Sequence, residues 1–168
     1  MATWVNESGL KIYYGTDAAE IGNGGEYKTF DLTRNIDIEI NLADLTASEV
    51  IQSRVVFPKG KVLGKVEVIA DTAAATGTAI DVGFVRTDSA ETVVDYDGIL
   101  AAFPTASMNA EGETTVLTDG STYAGALVGV VASADYPMYI TASRTDATAF
   151  TAGRIRLRLH WYKKSATT

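Results

Sequence analysis

Alternation with a period of two dominates the chain. Ile36, Ile38, Ile40 and Leu42 fall on one side of a run whose other side is Asn35, Asp37, Glu39 and Asn41. Near the end, Ile155, Leu157, Leu159 and Trp161 alternate in the same way with Arg154, Arg156, Arg158 and His160. Successive side chains of a strand point to opposite faces, so each run predicts a strand with one face toward a core and one toward water or a partner. Weaker copies occur at Val66/Val68/Ala70, Ile80/Val82/Phe84 and Met138/Ile140/Ala142. Lys11–Tyr14, Lys28–Leu32, Val50–Phe57, Thr114–Leu117 and Leu127–Ala132 are further strand candidates. About ten short strands between turn signals predict an antiparallel sandwich or barrel.

The punctuation agrees. Gly22-Asn23-Gly24-Gly25, Pro58-Lys59-Gly60, Asp119-Gly120 and Thr151-Ala152-Gly153 suit turns, because Gly and Asn tolerate positive φ and Pro fixes φ. Helix is expected only as short turns. One or two turns fit Asp97 to Phe103, with Asp97 as N-cap and Pro104 as stop. Thr46 to Glu49 fits a capping box worth a single turn. Asp71 to Ala79 is almost all Ala, Thr and Gly and reads as an exposed connection. At 168 residues the chain has the size of one domain.

Composition removes several chemistries. Cysteine is absent and His160 is the only histidine, which excludes disulfides and thiol catalysis and leaves too few ligands for a structural zinc. The net charge of -7 repels nucleic acid. No apolar run has membrane-spanning length, and the opening MATWVNESGLKIYY lacks the layout of a signal peptide.

The remaining candidate sites are weak as chemistry. His160 sits on the polar face of the last strand with no Gly-x-Ser-x-Gly elbow, so a hydrolytic triad is not supported. Asp95-Tyr96-Asp97-Gly98 opens like a calcium loop, but Ala106 stands where the bidentate Glu of an EF-hand would be; a turn with an N-cap is the simpler reading. The Arg154/Arg156/Arg158 stripe has three readings: cross-strand ion pairs with an acidic face such as Asp37/Glu39, a protein interface, or nucleic acid. The net charge argues against the last. Trp4, Val5, Tyr13 and Tyr14 give the N-terminus more apolar surface than a free end normally exposes. Alternation sends Tyr13 and Tyr14 to opposite faces, so one should face outward as an interface anchor. These residues and the three arginines form the candidate partner-binding set.

The run Val50 to Gly83, VIQSRVVFPKGKVLGKVEVIADTAAATGTAIDVG, resembles a pattern of small virion proteins of tailed bacteriophages. It has an apolar strand, a Pro-x-Gly turn, an alternating strand, an Ala/Thr loop and an Asp-Val-Gly strand end. Asp97-Gly98-Ile99-Leu100 is similar to the Asp-Gly segment that follows in those proteins. YITASRTDATAFTAGRIRLRLHWY resembles their closing hairpin. The likeness covers roughly Val50 to Tyr162 and points to the jelly-roll head accessory proteins, which decorate or cement a capsid shell. It implies an all-β, antiparallel β-sandwich of jelly-roll type in a single domain. The opening to about Leu42 matches less clearly, and there residues 1–14 are read as an N-terminal arm or first strand, a possible attachment element, with residues 15–168 as the sandwich. It implies a non-enzymatic protein without cofactor, made in the host cytoplasm and carried on the virion's capsid surface. The major capsid protein is the implied partner, and a homo-oligomer, a trimer by preference, the implied state; neither nucleic acid nor membrane is expected. The rival expectation is a receptor- or carbohydrate-binding module of a tail or fibre, with Trp4, Tyr96, Tyr123 or Tyr136 as an exposed stacking platform. A cupin-type enzyme is opposed by the lack of histidines.

Overall fold

A computed structural model describes residues 2–5, 11–14, 34–48 and 50–163, the first two stretches by backbone alone. The chain divides into two compact units, Met1–Leu32 and Thr33–Thr168. In the first, β1 (Ala2–Val5) and β2 (Lys11–Tyr14) form an antiparallel two-stranded sheet pairing Ala2 with Tyr14 and Val5 with Lys11.

The second unit is a sandwich. Its strands are β3 (Arg34–Asn41), β4 (Val50–Phe57), β5 (Lys61–Thr76), β6 (Ala79–Arg86), β7 (Val93–Pro104), β8 (Thr114–Leu117), β9 (Met138–Arg144) and β10 (Phe150–Lys163). One sheet has the order β3-β10-β5-β8 and the other β4-β9-β6-β7. The antiparallel pairs β3/β10, β4/β9, β5/β8 and β6/β7 are nested, first with last and second with second-to-last. A chain doubled back on itself and then rolled, so that successive pairs fall in alternate sheets, is the jelly roll. The expected all-β sandwich is therefore the fold.

Alternation placed the best-signalled strands correctly. Ile38, Ile40, Ile155, Leu157 and Leu159 are buried between the sheets, with Val66, Val68, Ile80, Val82, Phe84, Met138 and Ile140. Trp161 is half-buried and closes one end of the core, with its ring edge-on to Phe57 at 6.4 Å.

Five local expectations are corrected. Thr151-Ala152-Gly153 is not a turn but lies in the bulged start of β10. Asp97 to Phe103 is not helical but the second half of β7. Its buried residues Ile99, Leu100 and Phe103 have the i, i+1, i+4 spacing of a helix face. In the strand that spacing comes from an irregularity at Ala102, which has φ 47°. The Ala102 N–H donates to Asp81 Oδ1 at 2.7 Å, which anchors this rare conformation. Asp71 to Ala79 is no exposed connection: β5 runs on to Thr76 and β6 begins at Ala79. Small side chains are needed there because the bulged start of β10 passes close by. A Cβ on Gly153 would stand 2.8 Å from Ala74 Cα. Leu127–Ala132 makes only isolated bridges to the start of β5, interrupted at Gly129 with φ 87°. Among the described residues near the proposed capping box, the helical turn is a 3-10 turn at Leu42–Asp44, and Thr46 instead donates its hydroxyl to the Ser48 carbonyl. The candidate strand Lys28–Leu32 and the turn at Gly22 lie outside the described residues.

Candidate interaction surfaces

The outer face of the β3-β10-β5-β8 sheet carries the arginine stripe. Register places Arg158 opposite Asp37 on β3, and the guanidinium chelates that carboxylate with Nε–Oδ1 2.8 Å and Nη2–Oδ2 2.9 Å. Arg156 turns the other way, to Asp71 on β5, with Nη2–Oδ1 2.6 Å. Arg154 lies 3.6 Å from Glu39. Glu67 sits 2.6 Å from Lys65 Nζ and 3.2 Å from His160 Nε2, the latter without hydrogen-bond geometry. The Arg158 guanidinium holds Asp37 below the ordinary carboxylate range, and Lys65 and then His160 do so for Glu67. The stripe is thus matched within its own sheet. Sequence reasoning found the Asp37 and Glu39 partners from their alternation but missed Asp71, because its segment reads as a loop.

Asp95-Tyr96-Asp97 is neither a turn nor a helix cap. Phe84 pairs with Asp95 and Val82 with Leu100, so the residues between bulge out against Gly83. A Cβ on Gly83 would clash with the Asp95 and Tyr96 carbonyl oxygens. The bulge brings Asp95 and Asp97 together and puts Asp97 near Asp81. Burial first, then the Asp97 carboxyl, raises the pKa of Asp95. Burial also raises Asp81. Among the described residues no three such groups converge as a metal site.

Tyr96 is 58% exposed beside a shallow groove of about 570 Å³ that Asp81, Val93, Ser143 and Arg144 help to line. The other described candidates for a stacking platform are turned inward. Tyr123 packs edge-on to Phe103 at 5.9 Å, and Tyr136 lies under the Arg86 guanidinium at 4.1 Å. The side chains of Trp4, Val5, Tyr13 and Tyr14 are outside the described residues.

The four sheet edges differ. β3 faces out with Asn35, Asp37, Glu39 and Asn41, charged and polar groups that discourage added strands. β8 is four residues long. The outer side of β7 is covered by residues 123–127, through Ala101 N–H to Tyr123 O, Gly125 N–H to Ile99 O and Leu127 N–H to Gly98 O. Among the described residues β4 pairs with β9 alone, in an irregular register, and Val50, Val55 and Val56 are 41%, 48% and 42% exposed. Sequence reasoning missed this surface. Its trace is the lack of guarding charge in Val50–Phe57, where Arg54 is the one charged residue.

The fold and its surfaces define a class: a two-sheet jelly roll whose open features, among the described residues, include an edge strand and a shallow groove. No family model and no curated protein matches the chain. Among solved structures it is similar to a chain described as "Capsid of Ralstonia phage GP4", with a TM-score of 0.52 and 15% identity, covering 80% of this chain and 86% of that one. At that identity the likeness concerns the fold.

Proposed function

We propose that this chain is a non-enzymatic virion structural protein that binds and stabilises the outer surface of a tailed-phage capsid. The observation that carries this reading is the likeness in fold, over most of both chains, to a chain described as "Capsid of Ralstonia phage GP4". The surfaces support it. Capsid cement acts through modest contacts repeated over many symmetric copies, so avidity replaces a deep pocket. The major capsid protein is the proposed partner and a small oligomer, a trimer by preference, the proposed state. Contact, with the capsid or between copies, falls first to the N-terminal hairpin with Trp4, Val5, Tyr13 and Tyr14. Arg154, Arg156 and Arg158 come second, because each already faces a carboxylate of its own sheet.

The test is co-sedimentation of the purified protein with capsids that lack it, together with negative-stain imaging of virions labelled against this chain. Label over the head and saturable co-sedimentation are expected. Label confined to the tail would overturn the reading. That outcome would favour a receptor- or carbohydrate-binding module, for which exposed Tyr96 beside its groove is the supporting observation.

A further inference from the structure

We infer that the open edge of β4 receives the N-terminal hairpin of a second copy of this chain. The inference rests on the small-oligomer part of the reading above and names the partner of its N-terminal contact. Edge strands left long and largely apolar attract further strands, and among the described residues three of the four edges are closed by charge, shortness or cover. β4 has an eight-residue edge with three exposed valines, Arg54 as its one charged residue and, among the described residues, β9 as its one strand neighbour. Two of its backbone groups bond locally, Val50 O to Gln52 Nε2 and Val55 N–H to Ser53 Oγ. Such bonds to mobile side chains are easily exchanged for a ladder.

The hairpin has the complementary need. A sheet of two four-residue strands is marginal alone and gains from a third strand. Its strands, Ala-Thr-Trp-Val and Lys-Ile-Tyr-Tyr, are rich in the aromatic and β-branched residues that pair well with valines across strands. The 19 residues between Tyr14 and Arg34 can span at most roughly 65 Å. A folded unit of the sandwich's size is only roughly 35–40 Å across, from a radius of gyration near 14 Å. The hairpin therefore has the reach to cross to a neighbour. Hairpin to β4 is a head-to-tail contact, and such contacts close into rings such as a trimer.

The experiment uses two full-length variants. Val56→Lys places a charge on the β4 edge, and Ile12→Pro removes a ladder donor from β2. Size-exclusion chromatography with light scattering is expected to give an oligomer for the parent chain and the single-chain mass for each variant. An equimolar mixture should form a dimer and nothing larger, because one intact hairpin then meets one intact edge. Hydrogen exchange at Val50–Phe57 should be slow in the parent oligomer and fast in both variants alone. If Val56→Lys does not fold, Val50→Lys at the other end of the strand replaces it. A monomeric parent, variants that keep the parent mass, or a mixture that stays monomeric would overturn the inference. Capsid binding is measured separately, so a hairpin exchange that persists without capsid attachment would overturn only the cement reading.

Discussion

Leu157→Ala tests the architecture at its centre. Leu157 lies on β10, between Ile38 of β3 and Val68 of β5, and all three are buried. Removing three carbon groups forfeits about 2.4 kcal/mol at about 0.8 kcal/mol per group. A residual cavity of roughly 50–100 Å³ adds about 1–2.5 kcal/mol at ~24 cal/mol per Å³. The expected loss is therefore about 3.5–5 kcal/mol, or roughly 10–20 °C in melting temperature for a domain of this size. The control is the adjacent Arg156→Ala. Its side chain is about half exposed and its pair with Asp71 sits at the surface, so the expected loss is below about 1 kcal/mol. Urea unfolding of both variants, analysed with a common m-value, measures the two losses. A one-residue slip of β10 would exchange its two faces. Equal losses, or a larger one at Arg156, would refute the register and with it the inward face of the last strand.

Further perturbations follow from the bulge, the charged groups and two glycines. Asp81 and Asp95 have raised pKa values, so their contribution to stability is present below the unfolded carboxylate range and lost as pH rises through their folded values. Asp97→Asn removes the like charge that helps raise both; it should increase the melting temperature at pH 7, with the gain shrinking toward pH 4, and a decrease at pH 7 would refute this. Asp37 and Glu67 act in the opposite sense: their lowered pKa values contribute stability above the unfolded range that is lost as pH falls through the folded ones. Gly83→Ala must displace the Asp95 and Tyr96 carbonyls and should cost about 1–3 kcal/mol or more, whereas Gly60→Ala, in open space at φ 70°, should cost about 1 kcal/mol from backbone strain alone. Thermal unfolding that ranks Gly60→Ala as the worse variant would show the bulge to be misplaced.

The sequence determined wherever one local rule suffices. Strict alternation fixed the inward faces of β3 and β10, and β2, β4 and β8 coincide with candidates read from apolar runs, because a half-buried strand must repeat every two residues. It also offered Asp37/Glu39 as an acidic face for the arginine stripe, one of three readings, while the register alone set Arg158 opposite Asp37. Only the tertiary structure decided what depends on residues far apart in the chain. Ile99, Leu100 and Phe103 imitate a helix face, and it takes the Asp81 carboxylate on a neighbouring strand to hold Ala102 in the bulge that produces that spacing. The Ala/Thr run at Asp71–Ala79 reads as a loop until Gly153 and Phe150 of β10 are brought against it, where small side chains are a packing requirement. The openness of β4 has the same character. An edge is a property of a strand's neighbours, and which of the described strands lie at an edge follows from the nested pairing of the whole roll, which no single segment encodes.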